Sequence, residues 1–254
     1  MFSPEFYYSV VGFMAVMAVM VFIALHRLTA GYGMMYNSKW GPSIGNRAGW
    51  IIMESPAFIA MLLFWLLSPR RLEPALIVMT SIFLIHYFQR SFIFPFLIRG
   101  KNKMPWAIIL MGAVFNVINT YMIGGWFFYV SPENAYPVSW LGSPLFILGT
   151  VVFLIGMAIN LQSDYIIRHL RKPGDTRHYL PQKGMYRYVT SANYLGEIIE
   201  WAGWAILTCS LSGLVFFWWT VANLVPRANA IWHRYREEFG SEVGERKRVF
   251  PFIY

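Results

Sequence analysis

Glu54 is a carboxylate inside an apolar segment, WIIMESPAFIAMLLFWLLSP, which covers residues 50–69. Trp50 lies one helical turn before it on the same face. Placing a charged side chain at the centre of a bilayer costs about 3 kcal/mol on insertion scales, so such a residue is retained where another group compensates for it. A carboxyl group accepts hydrogen bonds and, when protonated, donates one. Glu54 is therefore a candidate hydrogen-bonding group at the bottom of an apolar pocket.

The segment HYFQR, residues 86–90, places further polar side chains in an apolar stretch. Arg90 follows His86 by four residues and Tyr87 by three, so a regular helix puts all three on one face. Ionisable groups embedded in a membrane point into the helix bundle and pair there. One interpretation is a Glu54–Arg90 ion pair that fixes packing. The other is a polar pair of Glu54 and Tyr87 at the bottom of an apolar pocket.

A stripe of polar side chains follows the segment NLQSDYIIRHLRKPG. Its members recur at intervals of four, four and three residues and become more basic towards the C-terminal end: Asn160, Asp164, Arg168 and Arg171. An ordinary helix end, with basic side chains reaching back to the interface, would explain the arginines. It would not explain the amide and the carboxylate, so we expect this stripe to line a binding site.

Two later segments carry similar stripes. The first consists of Asn193, Glu197 and Glu200, and the second of Arg227, Arg234 and Tyr235. Helix capping by Ser191 or Asn193 is the alternative for the first stripe, but it leaves both glutamates unexplained. We expect the stripes to line one polar cavity open to the cytoplasm, which leads to an apolar chamber with Glu54 and Tyr87 at the junction. That arrangement suits a large anionic cofactor from the cytoplasm and an apolar substrate from the lipid.

The elements that position these residues are membrane helices. Of the 254 residues, 57% are hydrophobic and 13% are charged, whereas about a quarter of a typical soluble domain is charged. The single cysteine, Cys209, excludes an internal disulfide bond, and we expect no metal site. Basic cytoplasmic loops explain the net charge of +9. We therefore expect the lipid bilayer as a partner, and neither nucleic acid nor an obligate protein partner.

Seven apolar segments have a length that crosses a bilayer, about 20 residues. They are Tyr8–Leu25, Gly49–Leu67, Pro74–Ile98, Pro105–Val130, Leu141–Asp164, Tyr194–Leu211 and Leu214–His233, and Gly213 is the predicted turn between the last two. Lys and Arg concentrate in the loops after the first, third and fifth segments and in the C-terminal tail. We predict an all-α polytopic membrane protein with seven transmembrane helices, the N-terminus outside and the C-terminus cytoplasmic. The longest loop, residues 165–193, is basic and is predicted to be functional.

Three weaker patterns suit other functions. Met14, Met17 and Met20 are spaced by three, as for soft-metal transport, but methionine facing lipid explains them. Haem needs paired axial ligands, and only His86 lies deep in a segment. The stretch GYGMMY is too short for a dinucleotide fingerprint, so any nucleotide is bound without a Rossmann fold.

The motifs NLQSDYIIRHLRKPGD, GMYRYVTSANYLGEIIEWAGWA and VFPFIY closely resemble those of the 3-oxo-5α-steroid 4-dehydrogenase (steroid 5α-reductase) family. GYG near residue 31, MESPAF and HYFQRSFIFP fit the same family, so the resemblance extends over nearly the whole chain. The family implies a seven-helix membrane enzyme that uses NADPH to reduce the C4–C5 double bond of 3-oxo-Δ4 steroids. It also implies one reductase domain over residues 1–254, with substrate-binding helices mainly in 1–130 and NADPH-binding helices and loops mainly in 141–254.

The resemblance implies roles for individual residues. Glu54 and Tyr87 are the catalytic pair that holds the substrate ketone, with Trp50 and Phe115 as further substrate contacts. The implied NADPH contacts are Asn160, Asp164, Arg168, Arg171, Asn193, Glu197, Arg227 and Tyr235. The arginines would meet the pyrophosphate and the 2′-phosphate that distinguishes NADPH from NADH.

The chain departs from the family pattern at Met34, Met53 and Gln89, where animal steroid reductases commonly have a basic residue, Gln and His. These departures bear on the preferred substrate. The alternatives are a reductase of another lipid enone or of an enoyl-CoA, and a non-catalytic membrane transporter. A bacterial inner membrane and the endoplasmic reticulum both suit the chain, with the cofactor site facing the cytoplasm.

Overall fold

The computed structural model describes residues 3–99, 102–172, 175 and 177–254, so residues 173, 174 and 176 of the predicted basic loop lie outside the described part of the chain. Seven long helices form within the described residues: α1 (Pro4–Leu25), α2 (Asn46–Leu67), α3 (Pro74–Leu97), α4 (Trp106–Val130), α5 (Pro144–Arg168), α6 (Ala192–Thr208) and α7 (Leu211–Phe239). Short 3₁₀ helices cover Gly33–Met35, Ser38–Trp40, Val138–Gly142, Gly184–Arg187 and Gly240–Val243. Two strands, β1 (Ser43–Gly45) and β2 (Lys103–Pro105), pair in antiparallel fashion.

Five of these helices, α1 to α5, are long and apolar enough to cross a membrane. Large apolar side chains on them point outwards; Phe13 and Ile155, for example, are 58% and 51% exposed, as expected of groups that face lipid. The prediction of a helical, multi-pass integral membrane protein is confirmed. α6 has 17 residues, and α7 carries Asn223, Arg227 and a charged last turn. Seven crossings, and the orientation of the chain, stay predictions.

The junction between α6 and α7 is not at Gly213, so the turn predicted there is wrong. The chain turns at Cys209, whose φ of 44° lies in the left-handed region. Ser210 then caps α7, because its hydroxyl accepts a hydrogen bond from the Gly213 N–H at 3.1 Å. Gly213 is inside the first helical turn, where an added Cβ would meet the Thr208 hydroxyl at 2.6 Å.

The chain divides into two compact units. Unit 1 consists of Met1–Met14 and Ala30–Ile147, and unit 2 consists of Ala15–Thr29 and Leu148–Tyr254. The residues predicted to hold the substrate belong to unit 1, and those predicted to hold the cofactor belong to unit 2. A single reductase domain stays a prediction.

In unit 1, the two strands align the starts of α2 and α4. The Asn46 N–H donates to the Asn102 carbonyl at 2.9 Å, where β1 leads into α2. Further along, Gly112 of α4 faces Met53, and an added Cβ would lie 2.5 Å from that side chain. The absence of a side chain at Gly112 therefore lets α4 approach the turn of α2 that carries Glu54.

Arg70 fixes the opposite ends of the same helices. Its guanidinium donates to the Glu73 carboxylate at 2.6 and 2.8 Å. It also donates to the Phe127 carbonyl at 2.9 Å and to the Ser131 hydroxyl at 2.8 Å, at the end of α4. These bonds satisfy carbonyls that a helix end leaves without partners and tie the loop after α2 to α4.

In unit 2, α5 and α6 pack backbone against backbone. The contact is made at Gly149, Gly156, Gly196 and Gly203. A Cβ on any of the four would clash with backbone atoms of the facing helix, and Gly196 faces the backbone of Asn160. Small residues at a helix contact allow close approach in membranes. The sequence thereby sets which turns of α5 and α6 lie side by side.

The C-terminal tail packs beside the segment that precedes α6. The Thr190 N–H donates to the Lys247 carbonyl at 2.9 Å, and the Ser191 N–H donates to the Arg248 carbonyl at 3.1 Å. The Lys247 N–H donates to the Tyr188 carbonyl at 2.9 Å. Ser191 occupies the cap position of α6 without a side-chain cap bond, so the alternative of capping by its hydroxyl does not hold.

Candidate functional site

A buried amide joins the two candidate catalytic side chains of unit 1. The Tyr87 hydroxyl donates to Asn116 Oδ1 at 3.3 Å. Asn116 Nδ2 donates to Glu54 Oε2 at 3.1 Å and to the Met53 carbonyl at 2.8 Å. Tyr87 and Asn116 are buried, and Glu54 is partly covered. We call Glu54, Asn116 and Tyr87, from α2, α4 and α3, the acid–amide–phenol site.

Both outer helices of this site are irregular next to their functional side chain. α2 contains Pro56, whose missing N–H leaves the Ile52 carbonyl without its helical partner. In α3 a π turn, Gln89–Ile93, begins two residues after Tyr87. Such π turns inside α-helices are frequent at functional sites. The regular backbone hydrogen bonding of α2 and α3 is therefore interrupted next to Glu54 and Tyr87.

Aromatic neighbours hold the Tyr87 ring. Its centroid lies 4.6 Å from that of Phe83 and 5.1 Å from that of His86. Tyr87 is 3% exposed. The hydroxyl oxygen is therefore held in one place, whereas its proton can still rotate about the C–O bond.

Arg90 packs between two aromatic rings. Its guanidinium carbon lies 4.5 Å from the ring centroid of Trp50 and 4.5 Å from that of Phe94. Arg90 also acts electrostatically on the Glu54 carboxyl, as does His86. Arg90 lies near the start of the π turn, and it acts on Glu54 together with His86, which agrees with the predicted common face. Arg90 is both a packing group and an electrostatic neighbour of the site.

The two further residues predicted to contact substrate lie close to this site in the chain. Phe115 immediately precedes Asn116 and is half-buried. Trp50, also half-buried, packs edge-on against Tyr32, with the ring centroids 6.3 Å apart. Their contact with a substrate stays a prediction.

In unit 2, polar groups of α5 and α6 meet. Asn160 Nδ2 donates to the Asn193 backbone carbonyl at 2.9 Å. The Tyr186 hydroxyl donates to Asn193 Oδ1 at 3.4 Å. Asn160 and Asp164 are each 6% exposed, and Asp164 acts electrostatically on Tyr186. The structure thus brings together three predicted cofactor residues from two helices, α5 and α6.

Arg227 of α7 lies in a group of tyrosines. Its Nε donates to the Tyr194 hydroxyl at 2.6 Å, and the residue is 7% exposed. Tyr194 in turn acts on both Tyr186 and Tyr235. A guanidinium group pairs with phosphate in a planar, two-bonded geometry. We call this set, together with Asn160, Asp164 and Asn193, the unit 2 polar cluster.

Tyr186 and Tyr235 are neutral at physiological pH. Burial raises the pKa of Tyr186 well above its usual value, and the neighbouring Asp164 adds to the shift. Burial raises the pKa of Tyr235 to about 12, with Tyr194 and Glu238 adding to it. Both phenols therefore remain hydrogen-bond donors.

The remaining predicted cofactor residues are less buried. Arg168 and Glu197 are half-buried, and Arg171 is exposed. Arg171 acts electrostatically on Tyr235 and on Tyr179, so its charge reaches the unit 2 polar cluster.

The described part of the basic loop is tied down by ionic contacts. The Asp175 carboxylate accepts hydrogen bonds from Arg177 at 2.9 to 3.1 Å and from the Tyr179 hydroxyl at 2.6 Å. These bonds hold the pKa of the Asp175 carboxyl well below its usual range, and the bond from the Arg177 side chain contributes most. His178 Nδ1 lies 2.8 Å from the Glu238 carboxylate in α7. The loop is therefore folded against the end of α7.

Three polar groups of these sites are absent from the sequence predictions: Asn116, Tyr186 and Tyr194. Asn116 had a usable signal, because an amide inside an apolar segment needs a partner just as Glu54 does. The tyrosines had none, since nothing in the sequence distinguishes these two from the other tyrosines among the 15 of the chain. Among the residues that the structure describes, no three His, Cys, Asp or Glu side chains are grouped so as to hold a metal ion.

Comparison with known proteins shows the family to which this sequence is similar. A family model described as 3-oxo-5-alpha-steroid 4-dehydrogenase matches residues 102–254. The chain is 36% identical to 3-oxo-5-alpha-steroid 4-dehydrogenase 1 of Mus musculus over 246 residues, which is 95% of this chain and 93% of the mouse protein. It is 35% identical to a steroid 5-alpha-reductase of Solanum lycopersicum over 100% of both chains. With the human 3-oxo-5-alpha-steroid 4-dehydrogenase 1 it shares 37% identity over 82% of this chain and 80% of the human protein. The similarity covers both units.

Proposed function

Because the chain belongs to the 3-oxo-5α-steroid 4-dehydrogenase family, we propose that it is an NADPH-dependent reductase of the C4–C5 double bond of 3-oxo-Δ4 steroids. Testosterone and progesterone are substrates of this kind, and the products are 5α-dihydro steroids. The observation that supports the activity most directly is the acid–amide–phenol site. It places a phenol and a carboxyl group, each bonded to the same buried amide, inside an apolar bundle.

The reaction builds negative charge on the C3 oxygen of the substrate. NADPH, when bound, would supply a hydride to C5 of the substrate. The electron pair of the C4–C5 bond moves towards the carbonyl oxygen, and a proton from solvent is then added at C4, which restores the ketone. Tyr87 donates a hydrogen bond to this oxygen, and Glu54 in its protonated form donates a second. Losing one preorganised donor of this kind typically costs about 3 kcal/mol of transition-state stabilisation.

The unit 2 polar cluster supplies groups that fit a phosphorylated dinucleotide. Guanidinium groups suit the phosphates, whereas amide, carboxyl and phenol groups suit the ribose hydroxyls and the carboxamide. We assign NADPH binding to Asn160, Asp164, Arg168, Arg171, Asn193, Glu197, Arg227 and Tyr235. Substrate binding is assigned to Trp50, Glu54, Tyr87 and Phe115.

We also propose that all seven helices cross the membrane, with the N-terminus outside and the cofactor site facing the cytoplasm. The basic loop supports this orientation, because Lys and Arg concentrate on the cytoplasmic side of membrane proteins. An apolar steroid would enter from the lipid.

The experiment is product identification with the detergent-purified protein and NADPH. Testosterone, progesterone and a trans-2-enoyl-CoA are offered separately, and products are compared with 5α and 5β standards. We expect NADPH consumption only with the steroids, and a 5α product. Glu54→Gln should abolish it, whereas Glu5→Gln, an exposed glutamate of α1, should not. Turnover of the enoyl-CoA alone would show a different reductase.

A further inference from the structure

The bonds around Asn116 fix the direction of its amide group. A backbone carbonyl can only accept, so the atom that faces the Met53 carbonyl at 2.8 Å must be Nδ2. The second N–H of that nitrogen faces Glu54 Oε2 at 3.1 Å. Oδ1 is then the atom that faces Tyr87, and an amide oxygen can only accept. The phenolic proton therefore points at Asn116 while the site is without substrate.

The bond from Tyr87 to Asn116 is the weak member of this set. Its oxygen–oxygen distance of 3.3 Å exceeds the range of about 2.5–3.0 Å usual for O–H···O bonds. The Tyr87 ring is held by Phe83, so the hydroxyl oxygen stays in place when this bond breaks. Only the proton has to turn towards a new acceptor.

We propose that Asn116 is a positioning residue that holds the Tyr87 proton until the substrate oxygen becomes the stronger acceptor. The inference rests on the proposed function, because it needs an oxygen that gains charge during the reaction. A neutral ketone and the neutral Asn116 amide compete for the same proton on similar terms. An oxygen that carries negative charge forms a bond roughly twice as strong and wins that competition.

This competition determines which kinetic constant depends on Asn116. An interaction that is stronger in the transition state than in the bound substrate raises kcat, whereas one made equally in both lowers KM only. The cost of breaking the Tyr87–Asn116 bond is the same for the bound ketone and for the charged oxygen, so Asn116 raises KM and leaves kcat unchanged. The amide nitrogen of Asn116 also donates to Glu54, and this bond holds the carboxyl group beside the amide.

The test is steady-state kinetics of Asn116→Leu, which has nearly the same volume and no amide. We expect the KM for testosterone to fall by about two- to tenfold, the range of one neutral hydrogen bond, with kcat unchanged. The affinity of the NADP⁺-bound protein for testosterone should rise by the same factor. In a Tyr87→Phe background the same substitution should leave that affinity unchanged, because the proton in question is absent. Asn116→Ala is the second variant, and stabilisation by NADPH on heating shows that each variant is folded.

Asn119→Leu is the matched control. Asn119 lies one turn further along α4, is 0% exposed, and within the described residues neither polar atom of its side chain has a hydrogen-bond partner. Its replacement should leave kcat and KM unchanged.

A lower kcat with an unchanged or higher KM, or an equal change in affinity in the Tyr87→Phe background, would show that Asn116 is only structural. Wild-type constants in both Asn116 variants would also overturn the inference. Failure of the wild-type protein to reduce testosterone would instead refute the proposed function, which separates the two claims.

Discussion

At the residue scale, turnover should depend most strongly on the Tyr87 hydroxyl. Tyr87→Phe removes the donor and keeps the ring, and loss of one preorganised donor lowers kcat about 100- to 1,000-fold. NADPH affinity should be unchanged, because the residues proposed to bind the cofactor belong to unit 2. Steady-state kinetics and NADPH titration measure both quantities. Tyr8→Phe, at a residue that is 48% exposed, is the control. Normal kcat in Tyr87→Phe would exclude its role as the donor.

The Tyr194 hydroxyl should set the affinity for NADPH through Arg227. Tyr194→Phe removes the acceptor of the 2.6 Å bond from Arg227 Nε and so weakens the positioning of the guanidinium. A hydrogen bond to a charged group contributes about 1.5–3 kcal/mol, so the Kd for NADPH should rise about tenfold or more. Quenching of tryptophan fluorescence by NADPH measures it. Tyr188→Phe, which alters an exposed tyrosine, should bind like the wild type; equal affinities in both variants would contradict the role of Tyr194.

The sequence predicts which residues are polar and buried, but not which of them touch. Glu54 and Tyr87 are identifiable because a polar group in an apolar helix needs compensation. Their connection runs through Asn116, and it depends on the register between α2 and α4. That register is set by the contact of Gly112 with Met53, which no periodicity within one helix encodes.

At the scale of elements, the glycine contact between α5 and α6 should control the unit 2 polar cluster. In Gly196→Ala the new methyl group clashes with the backbone of Asn160, so the helices must separate. Overpacking of this kind costs about 1–3 kcal/mol or more. We expect a lower Tm and loss of stabilisation by NADPH, measured by thermal unfolding with and without the cofactor.

Gly12→Ala provides the comparison, because an added Cβ at Gly12 meets no atom within 4 Å. It should unfold like the wild type. A wild-type response to NADPH in Gly196→Ala would mean that the close approach of α5 and α6 does not position the cofactor residues.

The C-terminal tail should be needed to hold the start of α6. A chain that ends at Glu245 lacks the carbonyls of Lys247 and Arg248, which accept from Thr190 and Ser191. The orphaned N–H groups precede Asn193, so we expect weaker NADPH binding and a lower Tm. Full NADPH affinity in the truncated chain would show that the tail is dispensable. The double variant Phe252→Ala and Ile253→Ala changes residues that are 79% and 84% exposed and should behave like the wild type.

Composition predicts which segments form helices, whereas local contacts determine where each helix begins and ends. All seven apolar segments are helical, because runs of apolar residues this long satisfy their backbone only as helices in a membrane. The prediction of a turn at Gly213 is wrong because Ser210 already caps the start of α7. A glycine is needed at position 213 because the Thr208 hydroxyl leaves no room for a side chain. The π turn after Tyr87 also leaves no trace in hydrophobic spacing.

At the scale of the whole molecule, stability should fall at alkaline pH. Burial raises the pKa of Tyr235 to about 12, above the value of about 10 for an unfolded tyrosine. The folded state keeps a proton that the unfolded state loses, so this stabilisation is complete below about pH 10 and is lost as the pH rises towards 12. Tyr235→Phe should flatten the decline of Tm above about pH 9, whereas Tyr188→Phe should not. An identical decline in all three proteins would contradict the shifted pKa.

The membrane class of the whole chain is predictable from composition alone, because 13% charged residues cannot cover a soluble domain of this size. The division into two units is not predictable in this way. It depends on contacts between residues far apart in the chain, such as those of Arg70 with the end of α4 and of the tail with Thr190.

The measurement that tests the central claim most directly is transfer of deuterium from labelled NADPH. The protein is given testosterone and NADPH that carries deuterium at C4 of the nicotinamide, with the two stereochemical positions labelled in turn. We predict a 5α-dihydro product with one deuterium at C5 for one of the two labels, and a solvent-derived hydrogen at C4. A product without deuterium from either label, or no reduced steroid at all, would contradict the account.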